Sequence, residues 1–386
     1  MKVLQIHNFY QFSGGEDIVL ENEYDLLARN GNAVVQYTRD NDEIRKYSLL
    51  GIIRFILTAK FSLRAYKEIT AVIRDFRPNV CHIHNTFPLI SPSAYYACHD
   101  MNVPVVQTLH NYRVLCSNAC LFRDGQVCEE CLGKSLYHSV RYGCYHNSSL
   151  QTLVVSSIIE YHKKKGTWQD PVGAYIALTE FSRKKLIEGG LPEGKIFVKP
   201  NCLAKDPGLG TDSEDYFLFV GRLDINKGVQ ILIDAFDKLE NRINLFVAGD
   251  GPLRDAVVGA KNAVYLGHLG HEELITKLKK CSVVIFPSVW YECMPMTIIE
   301  SFACGKPVIA SNLGVMAELI DHGRTGLLFD YGDTKDLVSK CIWAKEHPEE
   351  MNRMGMNARK EFQDKYTAAK NYDALLSIYE TVIKSG

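Results

Sequence analysis

The feature that most constrains the fold is an alternation of short apolar runs with longer stretches of helical periodicity. The runs are rich in β-branched residues and recur through both halves of the chain. This alternation predicts parallel sheets with crossover helices packed against them. The expected strands are Val3–Ile6, Ala33–Tyr37, Val80–Ile83, Val105–Thr108, Tyr175–Leu178, Ile196–Lys199, Tyr216–Val220, Asn244–Ala248, Val264–Leu266, Val283–Phe286, Val308–Ala310 and Leu327–Phe329.

The alternation is interrupted at residues 199–216, which are rich in proline, glycine and acidic residues, as an interdomain linker is. A length of 386 residues also predicts about two domains. We therefore expect one domain over 1–200 and a second over 201–365. Residues 366–386 are expected to form a final helix.

Bulk composition excludes several classes of protein. With 46% hydrophobic and 23% charged residues, the chain is typical of a soluble globular protein. Its net charge of −1 argues against nucleic-acid binding. No run approaches the ~20 apolar residues that span a bilayer. The first ten residues are expected to form a strand and not a signal peptide, which favours a cytoplasmic location.

The stretch Phe286–Gly305 predicts the end of a buried strand, a loop and a short helix. Pro295 suits the first helical position and Gly305 suits the residue just past the end. The helix would therefore present free amides near Met296 and Thr297 at the edge of the sheet. Such an amide cluster favours a phosphate.

Two carboxylates lie in the same stretch, Glu292 before the helix and Glu300 within it. A carboxylate accepts hydrogen bonds from sugar hydroxyls, so the combination favours a ligand with sugar at both ends and phosphate in the middle. The alternative is a surface helix with two solvated glutamates.

A second set of polar residues follows the strand predicted over Tyr216–Val220. Gly221 allows a ligand to approach the backbone closely, and Arg222 and Lys227 place two cations beside that point. Fixed cations of this kind neutralise a departing diphosphate. Read alone, the pattern is equally that of a strand end followed by a lysine.

The first half carries a similar arrangement at the ends of its strands. Gly14 and Gly15, in the sequence Ser13-Gly14-Gly15-Glu16, precede a helix predicted over Asp17–Arg29. Paired glycines before a helix suit a phosphate, although they more often form a turn.

Histidines close the third and fourth predicted strands of this half. His110 is placed to donate a hydrogen bond or carry a proton, whereas His84 is interpreted as structural.

Taken together, the E-x7-E spacing, the following Gly-Lys-Pro-Val-Ile-Ala-Ser over 305–311 and the Gly-Arg-Leu at 221–223 resemble the retaining glycosyltransferases of family 4. The resemblance implies an α/β, GT-B fold: two Rossmann-like domains whose parallel sheets face each other across a cleft. The first domain would bind the acceptor and the second the nucleotide sugar. The last helix would cross back to the first domain.

The resemblance also implies roles for individual residues. Glu292 would contact the transferred sugar and Glu300 the ribose of the nucleotide. Arg222 and Lys227 would hold the leaving diphosphate, and His110 would contact the donor sugar. The loop of Gly14 and Gly15 would line the cleft between donor and acceptor.

The activity implied is that of a retaining hexosyltransferase acting on a nucleotide-diphospho-sugar, UDP-linked more than GDP-linked, with a glycan or lipid-linked acceptor. The front-face mechanism would need no catalytic metal or other cofactor. Asp40-Asn41-Asp42 superficially matches a metal-binding D-x-D motif, but polar loops after strands commonly have this composition. The alternatives are a phosphorylase or epimerase of the same fold, and a non-catalytic partner protein that binds nucleotide sugars.

A cysteine-rich insertion over about 113–148 departs from the family pattern. It holds five cysteines, two of them in a C-x-x-C motif typical of structural zinc sites. The predicted zinc ligands are Cys116, Cys128, Cys131 and Cys144, with Cys120 or His146 as substitutes. Disulfides or unpaired thiols are the alternatives. A long insertion without periodicity would be hard to order without such a crosslink.

Residues 44–77 combine many apolar residues with eight arginines and lysines against two acids. A basic amphipathic helix of this kind lies on an anionic membrane surface. The alternative is a core helix with a solvated face. The first interpretation predicts peripheral association with the inner face of a membrane.

Overall fold

The computed structural model describes residues 1–11, 14–210, 213–240 and 242–385, so that Ser13 of the predicted glycine loop lies outside the described residues. The chain forms two compact units. The first comprises residues 1–121, 128–204 and 368–386, and the second comprises 122–127 and 205–367. Placement of 122–127 with the second unit was not predicted from the sequence.

Up to residue 204 the chain alternates strands and helices as the apolar pattern predicts. The elements are β1 (Lys2–Phe9), α1 (Gly15–Arg29), β2 (Ala33–Asp40), α2 (Asp42–Arg45), α3 (Leu49–Thr58), α4 (Leu63–Phe76), β3 (Val80–Ile83), α5 (Ser93–Asp100), β4 (Val105–Thr108), β5 (Phe122–Arg123), β6 (Gln126–Val127), α6 (His138–Arg141), α7 (Ser149–Lys164), β7 (Ala174–Ala177), α8 (Glu180–Glu188) and β8 (Ile196–Val198).

The remaining elements continue the alternation and end in three consecutive helices. They are β9 (Phe217–Val220), α9 (Val229–Lys238), β10 (Leu245–Ala248), α10 (Arg254–Gly259), β11 (Ala263–Gly267), α11 (His271–Lys280), β12 (Val283–Phe286), α12 (Met296–Ala303), β13 (Val308–Ser311), α13 (Gly314–Leu319), β14 (Gly326–Phe329), α14 (Thr334–Glu346), α15 (Pro348–Lys365) and α16 (Ala368–Ser385).

Each unit is built on a six-stranded parallel sheet with a reversal of strand order. The first sheet runs β2-β1-β3-β4-β7-β8 and the second runs β11-β10-β9-β12-β13-β14. The order reverses between β1 and β3 in the first sheet and between β9 and β12 in the second. Parallel α/β sheets bind ligands at the carboxyl ends of strands beside such a switch point. The sheets therefore mark one candidate region in each unit.

The helix α16 belongs to the first unit although it ends the chain. Its Tyr379 is fully buried, with its hydroxyl 2.8 Å from Nδ1 of His82 on β3. Its Asn371 accepts a hydrogen bond from the buried Lys199 ammonium at 3.1 Å. Contacts between residues far apart in sequence thus fix this helix to the first sheet.

Residues 44–77 do not form one helix. They are divided among α2, α3 and α4, with breaks at 46–48 and 59–62. The helix α4 buries Ala65, Ile69 and Ile73, as a core helix does. By contrast, α3 leaves Leu50 79% exposed and Ile56 43% exposed. Among the described residues, no helix is both long enough and apolar enough to cross a membrane.

Candidate active site

In the second unit the loops after β9 and β12 meet because these strands are neighbours. Phe219 on β9 pairs with Ile285 on β12, so both strands end at the same edge. The backbone amide of Val289 donates to the carbonyl of Asn226 at 2.9 Å. The Ser288 hydroxyl donates to the same carbonyl at 3.1 Å. The loop after β9 is thus joined to the loop after β12.

Lys227 and Glu292 form an ion pair where these two loops meet. Nζ of Lys227 lies 2.6 Å from Oε1 of Glu292. The same oxygen accepts hydrogen bonds from the Ser288 hydroxyl at 2.8 Å and from the Trp290 indole at 2.7 Å. The Lys227 ammonium also lies 5.5 Å from the centre of the Trp290 ring. Glu292 is only 6% exposed, so this carboxylate is buried and fixed by three donors.

Asp224 holds both predicted cations in position. Its Oδ1 accepts the backbone amide of Lys227 at 3.1 Å and begins the short 3₁₀ helix Ile225–Lys227. Its Oδ2 accepts Nε of Arg222 at 2.6 Å. Nη2 of Arg222 lies 2.5 Å from the same oxygen, and the Arg222 side chain is 65% exposed. The arrangement provides one partly buried and one exposed cation after β9.

Two glycines of this region differ in whether the fold requires them. At Gly228, φ is +71° and an added Cβ would lie 1.9 Å from the Pro287 carbonyl, so the fold itself requires glycine. At Gly221, an added Cβ would meet only the Phe219 ring, at 3.4 Å. The fold therefore tolerates a side chain at 221, and a requirement for glycine there would come from a ligand.

The helix α12 begins one residue later than predicted. Pro295 is the N-cap, with extended backbone, and Met296 is the first helical residue. Met296 and Thr297 lie in the first turn, where amides have no partner within the helix. Glu300 is 8% exposed, and burial raises the pKa of its carboxyl. As predicted, Gly305 lies just past the end of the helix, with φ of +71°.

In the first unit, Asp17 fixes the end of the predicted glycine loop. Its Oδ2 accepts the Gly14 amide at 2.9 Å and its Oδ1 lies 2.9 Å from Nε2 of His7, at the end of β1. An added Cβ at Gly14 or Gly15 would meet no atom within 4 Å. Within the described part of the chain, the space beside these two glycines is open.

Glu16 joins the ends of three strands. Its two carboxyl oxygens accept hydrogen bonds from Asn85 after β3, at 3.2 Å, and from Asn111 after β4, at 3.3 Å. Burial, reinforced by the charge of Asp17, raises the pKa of Glu16 from 4.5 to about 8. Glu16 is therefore largely protonated at neutral pH, which suits a group that donates a hydrogen bond.

His110 lies at the same edge and is in contact with His84. Nε2 of His110 is 3.0 Å from Nδ1 of His84, and the two rings are stacked with centroids 5.3 Å apart. Burial, and then the neighbouring imidazoles, lowers the pKa of His110 well below its usual range. Both rings line a cavity that also contacts Asn85, Asn111 and Arg113. The structure thus places His110 in a cavity lined by both polar and apolar side chains.

Three of the predicted cysteine ligands surround the fourth. Burial, followed by the proximity of Cys116, Cys144 and Cys128, raises the pKa of the Cys131 thiol to about 12. Among the described residues, however, the cysteines do not form a group of three whose sulfur atoms all lie within 4.8 Å of one another.

Polar contacts also hold the insertion against the rest of the first unit. Hydroxyls of Ser117, Ser139 and Ser156 form a buried triangle with sides of 2.8, 2.9 and 3.1 Å. Oε1 of Glu160 on α7 accepts the Leu136 amide at 2.7 Å. Hydroxyl and backbone contacts therefore already tie the insertion to α7.

Several residues of these sites were missed by the sequence analysis. Asp224, Ser288 and Trp290 orient the predicted ion pair, and Glu16 was noted only as part of a loop. Asp224 could have been found, because an aspartate three residues before a lysine at the end of a strand is a typical cap. The contacts of Ser288 and Trp290 depend on a loop conformation that no short motif encodes.

Two units, each built on a parallel sheet with a switch point, define the fold class of this protein as GT-B. Solved structures support the fold. Anabaena HepE in complex with UDP superposes with a TM-score of 0.67 at 16% identity, covering 99% of this chain and 100% of that one. Sucrose-phosphate synthase of Thermosynechococcus elongatus superposes with a TM-score of 0.74 at 15% identity, covering 100% of both chains.

Sequence comparisons show the family. The profile described as Glycosyltransferase Family 4 matches residues 13–205, and that described as Glycosyl transferases group 1 matches 205–361. The chain belongs to glycosyltransferase family 4, as the sequence motifs indicated.

Two relatives illustrate the match. The O-antigen chain mannosyltransferase C of Escherichia coli is 30% identical over 185 residues, which are 45% of this chain and 49% of that enzyme. The chain thus spans about half the length of that relative. An uncharacterized glycosyltransferase of Methanocaldococcus jannaschii is 26% identical over 98% of both chains.

Proposed function

We propose that this protein is a retaining glycosyltransferase that moves a hexose from a UDP-hexose to a glycan or lipid-linked acceptor without a catalytic metal. The observation that carries the proposal is the Lys227–Glu292 pair, with a 2.6 Å contact between a cation and a buried carboxylate at the ends of the central strands. The Lys227 ammonium can neutralise a diphosphate, and the Glu292 carboxylate can accept hydrogen bonds from sugar hydroxyls.

Each residue then has a distinct task in the reaction. Lys227 and Arg222 stabilise the negative charge that develops on the leaving diphosphate. The amides of Met296 and Thr297 add hydrogen bonds to the same phosphates. Glu292 binds hydroxyls of the transferred sugar, and Glu300 binds the ribose. The acceptor hydroxyl attacks the sugar on the face that the nucleotide leaves, so that the anomeric configuration is retained. A phosphate oxygen of the leaving nucleotide takes the proton of that hydroxyl.

The choice of uridine rests on likeness to other proteins. The Anabaena HepE structure carries UDP, and further structures of that protein carry UDP with glucose or UDP-glucose. Relatives also include a D-rhamnosyltransferase of Pseudomonas aeruginosa, 30% identical over 40% of this chain. These names favour a nucleotide-sugar donor and a glycan acceptor.

A thermal-shift screen tests the proposal. The purified protein is heated with UDP, GDP, CDP or ADP, each in EDTA and in excess magnesium. A ligand at about a hundredfold over its Kd stabilises by ~2.7 kcal/mol, which gives a readable shift. We expect a shift with UDP that is equal in both buffers and is lost in Arg222→Ala. No shift with any of the four would contradict a nucleotide-sugar donor at this site.

The acceptor is proposed to be presented at a membrane surface. The helix α3 exposes Leu50, Ile52 and Ile56 beside the exposed Arg54, a pattern that suits an anionic interface. The other half of the predicted segment, α4, packs in the core. The membrane proposal therefore concerns α3 alone, and no nucleic acid is expected as a partner.

A structural zinc ion is proposed for the cysteine-rich insertion. Four thiols offer the donor set of a closed tetrahedral site, and three of them surround Cys131. Zinc would hold the sulfur atoms of Cys116, Cys128, Cys131 and Cys144 and would have no part in sugar transfer.

A further inference from the structure

The first unit contains a buried polar network that has no role in the reaction proposed above. The network lies beneath the candidate region of the first sheet. It contains Glu23 on α1, which is 4% exposed, and His82 and His84, which are 0% and 3% exposed. Their donor atoms lie within 4.8 Å of one another, as in a metal site. However, the Lys199 ammonium lies 3.3 Å from Oε2 of Glu23 and supplies the positive charge. The cluster is therefore explained without a metal ion.

Glu23 is an ionised acceptor at the base of this network. Burial alone would raise the pKa of Glu23, but His82 and Lys199 outweigh burial and hold it well below its usual range. Oε1 of Glu23 lies 2.7 Å from Nδ1 of His82 and 3.4 Å from Nε2 of His84. Oε1 therefore faces the two imidazoles, whereas Oε2 faces the ammonium.

His84 connects this carboxylate to His110. One of its nitrogens, Nε2, faces Glu23, and the other, Nδ1, faces Nε2 of His110 at 3.0 Å. Nε2 of His84 and Oε1 of Glu23 are both buried, and among the described residues neither meets the geometry of a hydrogen bond, so their 3.4 Å contact is electrostatic. Burial lowers the pKa of His84 to about 4, so the ring is neutral and carries one proton. Two arrangements of that proton are possible.

The carboxylate selects between these arrangements. If His84 carries its proton on Nδ1, a nitrogen lone pair on Nε2 faces the negative oxygen of Glu23, and two acceptors oppose each other in a buried site. If His84 carries its proton on Nε2, the positive end of that N–H bond faces the carboxylate of Glu23 and Nδ1 is left to accept. In that case His110 must carry its own proton on Nε2 in order to donate to His84.

We propose that Glu23 and His84 are positioning residues that fix the tautomer of His110, with the proton on Nε2 and the lone pair of Nδ1 presented to the ligand. His110 then offers a hydrogen-bond acceptor at Nδ1 and not a donor. The proposal rests on the proposed function, because the family resemblance implies that His110 contacts the donor sugar. It adds a direction to that contact and two residues that enforce it.

Glu23→Gln is expected to reverse the network. An amide has one oxygen and one NH₂ group, and the oxygen faces the Lys199 ammonium because two donors would repel each other there. The NH₂ group then takes the position of Oε1 and donates both to Nε2 of His84 and to Nδ1 of His82, which carries its own proton on Nε2 beside the Thr108 hydroxyl. His84 carries its proton on Nδ1 and donates to His110, which moves its own proton to Nδ1.

The test is the tautomer of His110, read from long-range ¹H–¹⁵N spectra of the full chain labelled at histidine. His110→Asn assigns the signals. We expect an Nε2-protonated ring in the wild type and an Nδ1-protonated ring in Glu23→Gln. A wild-type His110 with its proton on Nδ1, or a Glu23→Gln spectrum in which His110 is unchanged, would overturn the proposal. The wild-type spectrum decides even if the variant does not fold.

Kinetics give a second readout. Relative to wild type, Glu23→Gln is expected to lower kcat for UDP release about tenfold or more, with little change in KM for the donor. In a His110→Ala background the same change should have almost no further effect. His84→Gln should retain more activity than His84→Leu, because an amide keeps one donor and one acceptor. Equal loss in both His84 variants, or equal Glu23→Gln effects in both backgrounds, would indicate a merely structural role.

Glu160→Gln is the matched control. Glu160 is a buried carboxylate of the same unit, 6% exposed, and it accepts a backbone amide remote from His110. Glu160→Gln should lower the stability of the protein without changing the His110 tautomer. The spectra require no turnover, so a wild type that binds no nucleotide would defeat the proposed function and leave the tautomer result intact.

Discussion

Lys227 and Glu292 are 65 residues apart in sequence and 2.6 Å apart in space. Three donors converge on Oε1 of Glu292, from Lys227, Ser288 and Trp290. The carboxylate is therefore held in one orientation before any ligand binds. Catalysis by fixed charges requires this kind of preorganisation, since little reorganisation is then needed as charge develops.

Glycine substitutions should separate the needs of the ligand from those of the fold. Gly221→Ala should keep the Tm of the free protein within about 2 °C, because its Cβ meets only the Phe219 ring. It should weaken UDP binding about tenfold or more if the diphosphate approaches this backbone. Gly228→Ala should destabilise by ~3 kcal/mol or more, because its Cβ would overlap the Pro287 carbonyl. Calorimetry and UDP titration measure both; unchanged UDP affinity in Gly221→Ala would argue against close approach there.

Glu16 should make stability depend on pH. Its pKa is raised from 4.5 to about 8, so the folded chain binds more protons than the unfolded chain in this interval. The free energy of unfolding should therefore fall as pH rises from 4.5 to 8, by up to about 1.4 kcal/mol per pH unit from this group. Glu16→Gln removes this contribution. Urea unfolding of both proteins at several pH values should show curves that diverge with rising pH; parallel curves would contradict the shift.

The zinc proposal predicts one zinc ion per chain after purification, measured by elemental analysis. Cys131→Ser should lose the metal and lower the Tm, since a bound ligand stabilises the folded state. Cys341→Ser is a suitable control, because Cys341 is a buried free cysteine of the second unit. Full stability without zinc would show that the serine and backbone contacts suffice.

The membrane proposal predicts binding to vesicles that contain anionic lipid. Leu50→Asp should lower the vesicle-bound fraction about tenfold, because it places a charge on the exposed face of α3. Val258→Asp alters a residue of the second unit that is 57% exposed and serves as the control. Sedimentation with vesicles measures both, and an equal bound fraction for wild type and Leu50→Asp would exclude α3 as the contact.

The strands and the parallel architecture could be predicted because buried β-branched runs such as Val283–Phe286 leave a clear pattern. Lys227 and Glu292 were also predicted, since each follows such a strand at the expected edge. The loop contacts were not predictable. Asp224, Ser288 and Trp290 act through the conformations of two loops. Those conformations depend on strands that are neighbours in the sheet but far apart in sequence.

The network around His84 shows the same limit more clearly. A histidine at the end of a strand was interpreted as structural because nothing nearby in sequence explains it. Its partners Glu23 and His110 lie on different elements and meet only when β1, β3 and β4 form one sheet. For residues 44–77, the pattern was read as one helix, yet breaks at 46–48 and 59–62 divide it.

The most direct measurement is the rate of UDP release from a UDP-hexose in EDTA, for wild type, Glu292→Gln and Lys227→Ala, with Lys345→Ala as a control lysine paired with Asp215 on the same unit. UDP affinity is titrated in parallel. We expect Glu292→Gln to bind UDP normally but to release it from the donor about 10²–10³ times more slowly. Lys227→Ala should lower both the affinity for UDP and the rate of UDP release, whereas Lys345→Ala should lower neither. Wild-type rates in Glu292→Gln, or turnover only when magnesium is added, would contradict metal-free transfer at this pair.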